Sequence, residues 1–231
     1  GDRSNILYRI ENGKIRPSKM LADSIGKMIK GNQEFVMIDD QKVVYENALA
    51  IAKHASFNNK QVLIVQGGPG TGKSVVAINL LVELTKSGLL AHYVSKNAAP
   101  RAVYESRLTG SLRPTIIRNL FKGSGAFIGT PENEYDALII DEAHRLNKHS
   151  GLYGNLGENQ IKEIISASKF CIFFIDEDQR VTLKDIGQKS EIELWAHKLG
   201  ASVTEMELNS QFRCNGSDGY LAWLDNLLQI K

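Results

Sequence analysis

The sequence predicts a three-layer α/β domain, a mainly parallel five-stranded sheet with helices on both faces. Apolar runs of strand length at residues 62–65, 90–95, 137–140, 170–175 and 202–208 alternate with stretches whose apolar residues recur at helical spacing. Uninterrupted apolarity, clearest in Phe170-Cys171-Ile172-Phe173-Phe174-Ile175, suits a strand buried on both faces, as in parallel sheets. Polar and charged clusters follow the runs, on the side where open α/β sheets bind ligands.

Composition agrees with that class. A chain of 231 residues can hold a full core, and one domain is expected over 38–231 after a lead-in over 1–37. Hydrophobic residues make up 42% and charged residues 23%, which argues against a largely disordered chain. A net charge of +2 excludes a globally basic protein and leaves room for a local basic patch. Two cysteines, Cys171 and Cys214, are too few for a disulfide framework or metal cluster, and Cys171 reads most simply as core. The longest apolar runs are strand-sized and Gly1 to Asn5 has no leader pattern, so no membrane partner is expected and the compartment expected is the cytoplasm.

In chain order, Ile15-Arg16-Pro17-Ser18 breaks the lead-in, and the apolar spacing from Ser18 to Lys30 predicts a short amphipathic helix. Residues 1–30 hold seven Lys/Arg against three acids, a solvated face or a nucleic-acid contact. A helix follows from about Asp40 to His54. Gln41 at its start has two readings. Its amide could meet an adenine edge, donating and accepting at once, or the segment is a cap with Asp39 or Asp40 as N-cap.

Strand 62–65 runs into Gly67-Gly68-Pro69-Gly70-Thr71-Gly72-Lys73-Ser74 and then a helical stretch. Strand, glycine loop and helix in that order make a phosphate-binding loop. Backbone N–H groups of Gly68, Gly70, Thr71 and Gly72 can point at phosphate oxygens, the helix adds its positive end, Lys73 reaches the β/γ oxygens and the Ser74 hydroxyl ligates Mg²⁺. ATP and Mg²⁺ are the expected cofactors.

From Lys96 to Lys122, six Lys/Arg face the single acid Glu105. Asn97, Arg101, Arg107, Arg113 and Arg118 could line a phosphate-backbone track, and an ordinary charged surface is the competing reading. Gly123-Ser124-Gly125 predicts a flexible turn. Strand 137–140 ends in Asp141-Glu142-Ala143-His144. This suits a Walker B site, with Asp141 holding Mg²⁺ and Glu142 polarising the attacking water. His144 reads as a helix-start histidine with a polar partner. Gly151 to Gly157 predicts a mobile loop, and Asn159 to Ala167 a helix. Strand 170–175 ends in Asp176-Glu177-Asp178-Gln179-Arg180, where the Gln179 amide could sense a γ-phosphate. A helix over 190–199, strand 202–208 and Asn209-Ser210-Gln211-Phe212-Arg213-Cys214 complete the series.

These motifs together resemble the first RecA-like lobe of superfamily 1 helicases, and more closely the Schlafen-like DNA/RNA helicase domain family, over about Ile38 to Leu228. The resemblance implies that Gln41 contacts adenine, that Gln179 couples nucleotide to nucleic acid, that Arg213 touches the γ-phosphate, and that the sheet runs 5-1-4-3-2. Asp-Glu-Ala-His is similar to a superfamily 2 label, whereas Asp178-Gln179-Arg180 and Gln211-Phe212-Arg213 sit with superfamily 1. A second RecA-like lobe is expected beyond Lys231, since no second set of strands follows Trp223, and these 231 residues alone are expected to be a weak ATPase. The implied function is the ATP-hydrolysing motor lobe of a helicase or translocase on single-stranded DNA or RNA. The alternative is a nucleotide-dependent regulatory switch acting on protein partners.

Overall fold

The computed structural model describes residues 37–96, 120–150, 156–179 and 185–209. Their elements are α1 (Asp39–His54), β1 (Gln61–Gly67), α2 (Lys73–Lys86), β2 (Ala91–Ser95), β3 (Phe121–Lys122), β4 (Tyr135–Asp141), α3 (Gln160–Ala167), β5 (Ser168–Ile175), α4 (Lys189–Lys198) and β6 (Ser202–Leu208). The sheet order is β3-β2-β4-β5-β1-β6, and all neighbours pair in parallel. The five expected strands stand in their expected order. Among the described residues the count is corrected to six by β3, whose two residues pair with Tyr93 and Val94 beyond β2. Two residues are too few to show any hydrophobic period, which is why the sequence hides this strand.

Period-two geometry divides the core. Leu63 and Val65 of β1, with Phe170, Ile172 and Phe174 of β5, pack with α1 and α2 on one face. Val62, Ile64, Cys171 and Phe173 pack with α3 and α4 on the other. Residues 62–65 and 170–175 are fully buried, and each such side chain contributes about 1.5–3 kcal/mol of transfer free energy. Cys171 is one of them, and burial pushes its thiol up to about 11. Glu205 and Glu207 stand exposed on β6, the edge strand among the described residues, where charge disfavours further pairing.

Helix α3 starts one residue later than expected because Asn159 caps it, its side chain accepting from Ile161 N at 2.9 Å and Lys162 N at 3.1 Å. Its carboxyl end is closed by Lys60, whose Nζ donates to the carbonyls of Ile165 (2.8 Å), Ser166 (3.1 Å) and Ser168 (2.7 Å) and to Asn133 Oδ1 (2.7 Å). The flexible turn expected at Gly123-Ser124-Gly125 leads instead into a 3₁₀ turn over Ser124–Phe127 that places Phe127 in the core. Ser150 and Leu156 are bridged across the expected mobile loop, of which 151–155 lie outside the described residues, as does the helix expected over 18–30. Among the described residues no helix is long and apolar enough to cross a membrane. Parallel strands bring the loops after β1, β4 and β5 to one end of the sheet.

Candidate nucleotide-binding site

The loop after β1 reverses through Gly70 (φ +80°) and Gly72 (φ +86°) before α2 begins at Lys73. Gly72 is doubly constrained, because a Cβ there would lie 2.0 Å from Gln41 Nε2. The Gly72 carbonyl accepts from Val75 N at 2.9 Å and Val76 N at 3.0 Å, which seats the loop on the helix end. Thr71 turns inward, buried, with its hydroxyl donating to the Gly68 carbonyl at 3.0 Å. Lys73 Nζ donates to the carbonyls of Gly67 and Gly68, the latter at 2.7 Å.

Gln41 lies directly against this loop. Its Nε2 donates to the Thr71 carbonyl at 2.8 Å and its Oε1 accepts from Ile38 N at 3.3 Å, leaving the side chain buried at 1% exposure. The capping alternative is corrected: Ile38, not Asp39 or Asp40, occupies the N-cap position, and Gln41 three residues on answers its N–H. One amide therefore caps the start of α1 and clasps the phosphate loop.

Asp141 closes the site from β4. Its Oδ2 accepts from the Ser74 hydroxyl at 2.6 Å and from the Tyr93 hydroxyl, and its Oδ1 accepts from Glu142 N at 2.9 Å. Glu142 takes the left-handed conformation at φ +52°, unfavourable by about 1–2 kcal/mol for a residue with a Cβ, and so turns the chain sharply out of the sheet. The 3₁₀ turn Ala143–Arg145 follows, with Gly187 pressed so close that a Cβ there would meet the Ala143 carbonyl at 1.8 Å.

From β5 comes Asp176, with Oδ2 3.6 Å from Lys73 Nζ. Its N–H donates to His144 Nδ1 at 3.3 Å, and burial pushes the His144 pKa down, which suits an unprotonated Nδ1. Gln179 ends the 3₁₀ turn Glu177–Gln179, its N–H donating to the Asp176 carbonyl at 3.1 Å. Beside the loop opens a cleft of about 320 Å³ whose lining includes Gln66, Gly68, Asp176, Asp178, Glu207 and Asn209.

The structure thus gathers Gln41, Thr71, Gly72, Lys73, Ser74 and Asp141 at one end of the sheet, with Gly68 and Gly70 in the loop and Glu142 directly after Asp141. Arg213, Asn97, Arg101, Arg107, Arg113 and Arg118 lie outside the described residues. Of the basic stretch, Lys96 Nζ is engaged by Asn147 Oδ1 (2.9 Å) and Asp185 Oδ1 (3.4 Å), and Lys122 is half-buried with its pKa lowered by desolvation. Sequence reasoning assigned no role to Tyr93 or Asp176. Asp176 carried a signal, being the first polar residue after an apolar strand. Tyr93 carried none, since an aromatic inside a strand reads as core.

Ser74 and Asp141 offer hard oxygen donors at one point, and among the described residues no group of three or more His, Cys, Asp or Glu is arranged for a metal. That donor set fits Mg²⁺, which uses one or two protein oxygens and fills its octahedron with phosphate and water.

A family model described as "Schlafen group 3, DNA/RNA helicase domain" matches residues 60–231. The chain belongs to this family. No curated protein matches the chain. Among solved structures, this Schlafen group 3 domain is similar to a DNA replication initiation factor at 20% identity, covering 75% of this chain and 48% of that one, TM-score 0.39. It is also similar to AMPPCP-bound DnaA from Aquifex aeolicus, at 17% identity over 79% of this chain and 53% of that one, TM-score 0.39. Domain III of the Thermotoga maritima replication initiation protein DnaA gives 18% identity over 78% of this chain and 67% of that one, TM-score 0.40. The chain spans about half the length of the first two.

Proposed function

We propose that this Schlafen group 3 domain is the ATP-binding and ATP-hydrolysing lobe of a superfamily 1-like DNA or RNA helicase or translocase. The observation that carries the reading is the junction of Ser74 with Asp141 at 2.6 Å, beside a loop whose lysine stands at the start of α2. Lys73 lies where it can exchange the Gly67 and Gly68 carbonyls for β- and γ-phosphate oxygens. Bound Mg²⁺ would neutralise the charge that develops on those oxygens, held by Ser74 and Asp141. Glu142, which follows Asp141 in the left-handed turn that ends β4, is the candidate to orient and deprotonate water. Gln179 follows Asp176 and Arg213 lies further along the chain; both are proposed to sense the γ-phosphate, and Gln41 to hold the loop that receives the nucleotide.

The test is ATP turnover with and without single-stranded DNA and RNA, in the parent, K73A and E142Q. Turnover stimulated by a strand and abolished by K73A supports the reading; equal turnover in parent and K73A defeats it. Reversal of Arg101, Arg107 and Arg113 to Glu should weaken strand binding and flatten its salt dependence, by roughly 0.7 in log–log slope for each phosphate no longer neutralised. A switch ATPase acting on protein partners is the second reading, favoured by the engagement of Lys96 with Asn147 and Asp185 and the partial burial of Lys122, which leave these two cations of the basic stretch less available to a strand. Unchanged strand affinity and slope in the triple variant would select it.

A further inference from the structure

We infer that Tyr93 is the positioning residue of the metal-holding carboxylate, and that its hydroxyl sets how tightly Asp141 engages a divalent cation. This rests on the nucleotide-site reading above. In the β2–β4 register Tyr93 stands opposite Ile139 and Ser95 opposite Asp141, so Tyr93 and Asp141 are two residues apart along neighbouring strands. That offset is about 6.6 Å along the strand, within the reach of a phenol and beyond that of a Ser or Thr. The Tyr93 ring is fully buried and tilted at 58° against Phe121, centroids 5.5 Å apart, so its hydroxyl is held by packing.

Three donors from separate positions hold the Asp141 carboxylate: Ser74 of α2 and Tyr93 of β2 on Oδ2, and Glu142 N on Oδ1. At 3% exposure the carboxylate has little water around it, and a buried anion needs such donors. Ser74 has a second task, since its hydroxyl oxygen is the proposed ligand of the cation. Tyr93 supplies the donor from the sheet, which fixes the plane of the carboxylate relative to the start of α2. Hydrogen-bond partners of metal ligands typically matter by about 10- to 100-fold in metal affinity.

The experiment titrates Mn²⁺ into the protein with ADP, reading bound Mn²⁺ by electron paramagnetic resonance, in the parent, Y93F and F121L. Y93F keeps the ring and leaves Ser74 donating to the same oxygen, so the fold is retained and metal-free ADP binding stays at the parent value. Mn²⁺ affinity in Y93F is expected to fall about 10-fold. F121L loosens the ring packing without removing the hydroxyl, and is expected to lower thermal stability more than Mn²⁺ affinity. A Y93F affinity within about twofold of the parent, or a Y93F loss of metal-free ADP binding as large as its loss of Mn²⁺ affinity, overturns the assignment and leaves Tyr93 a packing residue. A parent that takes up no Mn²⁺ with ADP overturns the nucleotide-site reading and this inference with it, an outcome distinct from the other two.

Discussion

Lys73 Nζ and Asp176 Oδ2 stand 3.6 Å apart, with side-chain exposures of 11% and 4%, so the loop lysine is paired across to the end of β5. A phosphate arriving at the loop must compete with that carboxylate as well as with the Gly67 and Gly68 carbonyls. Asp176→Asn keeps the shape and removes the competing charge. Metal-free ADP should bind D176N about fivefold more tightly, ~1 kcal/mol, by calorimetric titration. Equal or weaker binding would mean that Asp176 serves the lysine rather than competing for it.

Glu142→Gln should leave ATP binding intact and lower turnover by about 10² to 10⁴, since an amide keeps the side-chain volume but cannot take a proton. Single-turnover hydrolysis alongside equilibrium binding separates the two effects. Loss of binding in E142Q would assign Glu142 to the metal instead.

His144 predicts a pH dependence of stability. Burial lowers its folded pKa below the ordinary 6.5, so between the two values the unfolded chain binds more protons than the folded one. Stability therefore falls as pH drops below about 6.5 and levels out above it. His144→Asn keeps an acceptor for the Asp176 N–H and removes the titration, so its denaturation midpoint should vary less than the parent's between pH 5 and 8. Identical profiles would show that His144 charges freely in the folded state.

Lys60 tests the opposite end of the sheet. Lys60→Met strips the donor from three carbonyls at the end of α3, and should cost about 2–4 kcal/mol in chemical denaturation. Nucleotide affinity should not move, because Lys60 precedes β1 whereas the loop follows it. A matched fall in affinity would mean that the two ends of the sheet are coupled.

The parallel sheet and the phosphate loop are legible in the residues themselves, and the order of the five longer strands through the family resemblance. The first two are local properties. An uninterrupted apolar run needs cover on two faces, and a glycine loop between strand and helix has one use for its N–H groups. The residue order also puts Asp141 and Asp176 at strand ends, but not what they touch. That Tyr93 meets Asp141 emerges in the folded chain alone, since strand register sets which side chains lie two residues apart on neighbouring strands. Folding likewise turns Gln41 toward Thr71 and Lys96 toward Asp185, partners 30 and 89 residues apart in sequence. A side-chain amide or ammonium has several partners open to it along the chain, and the packing of α1 and of the loops over the sheet selects among them.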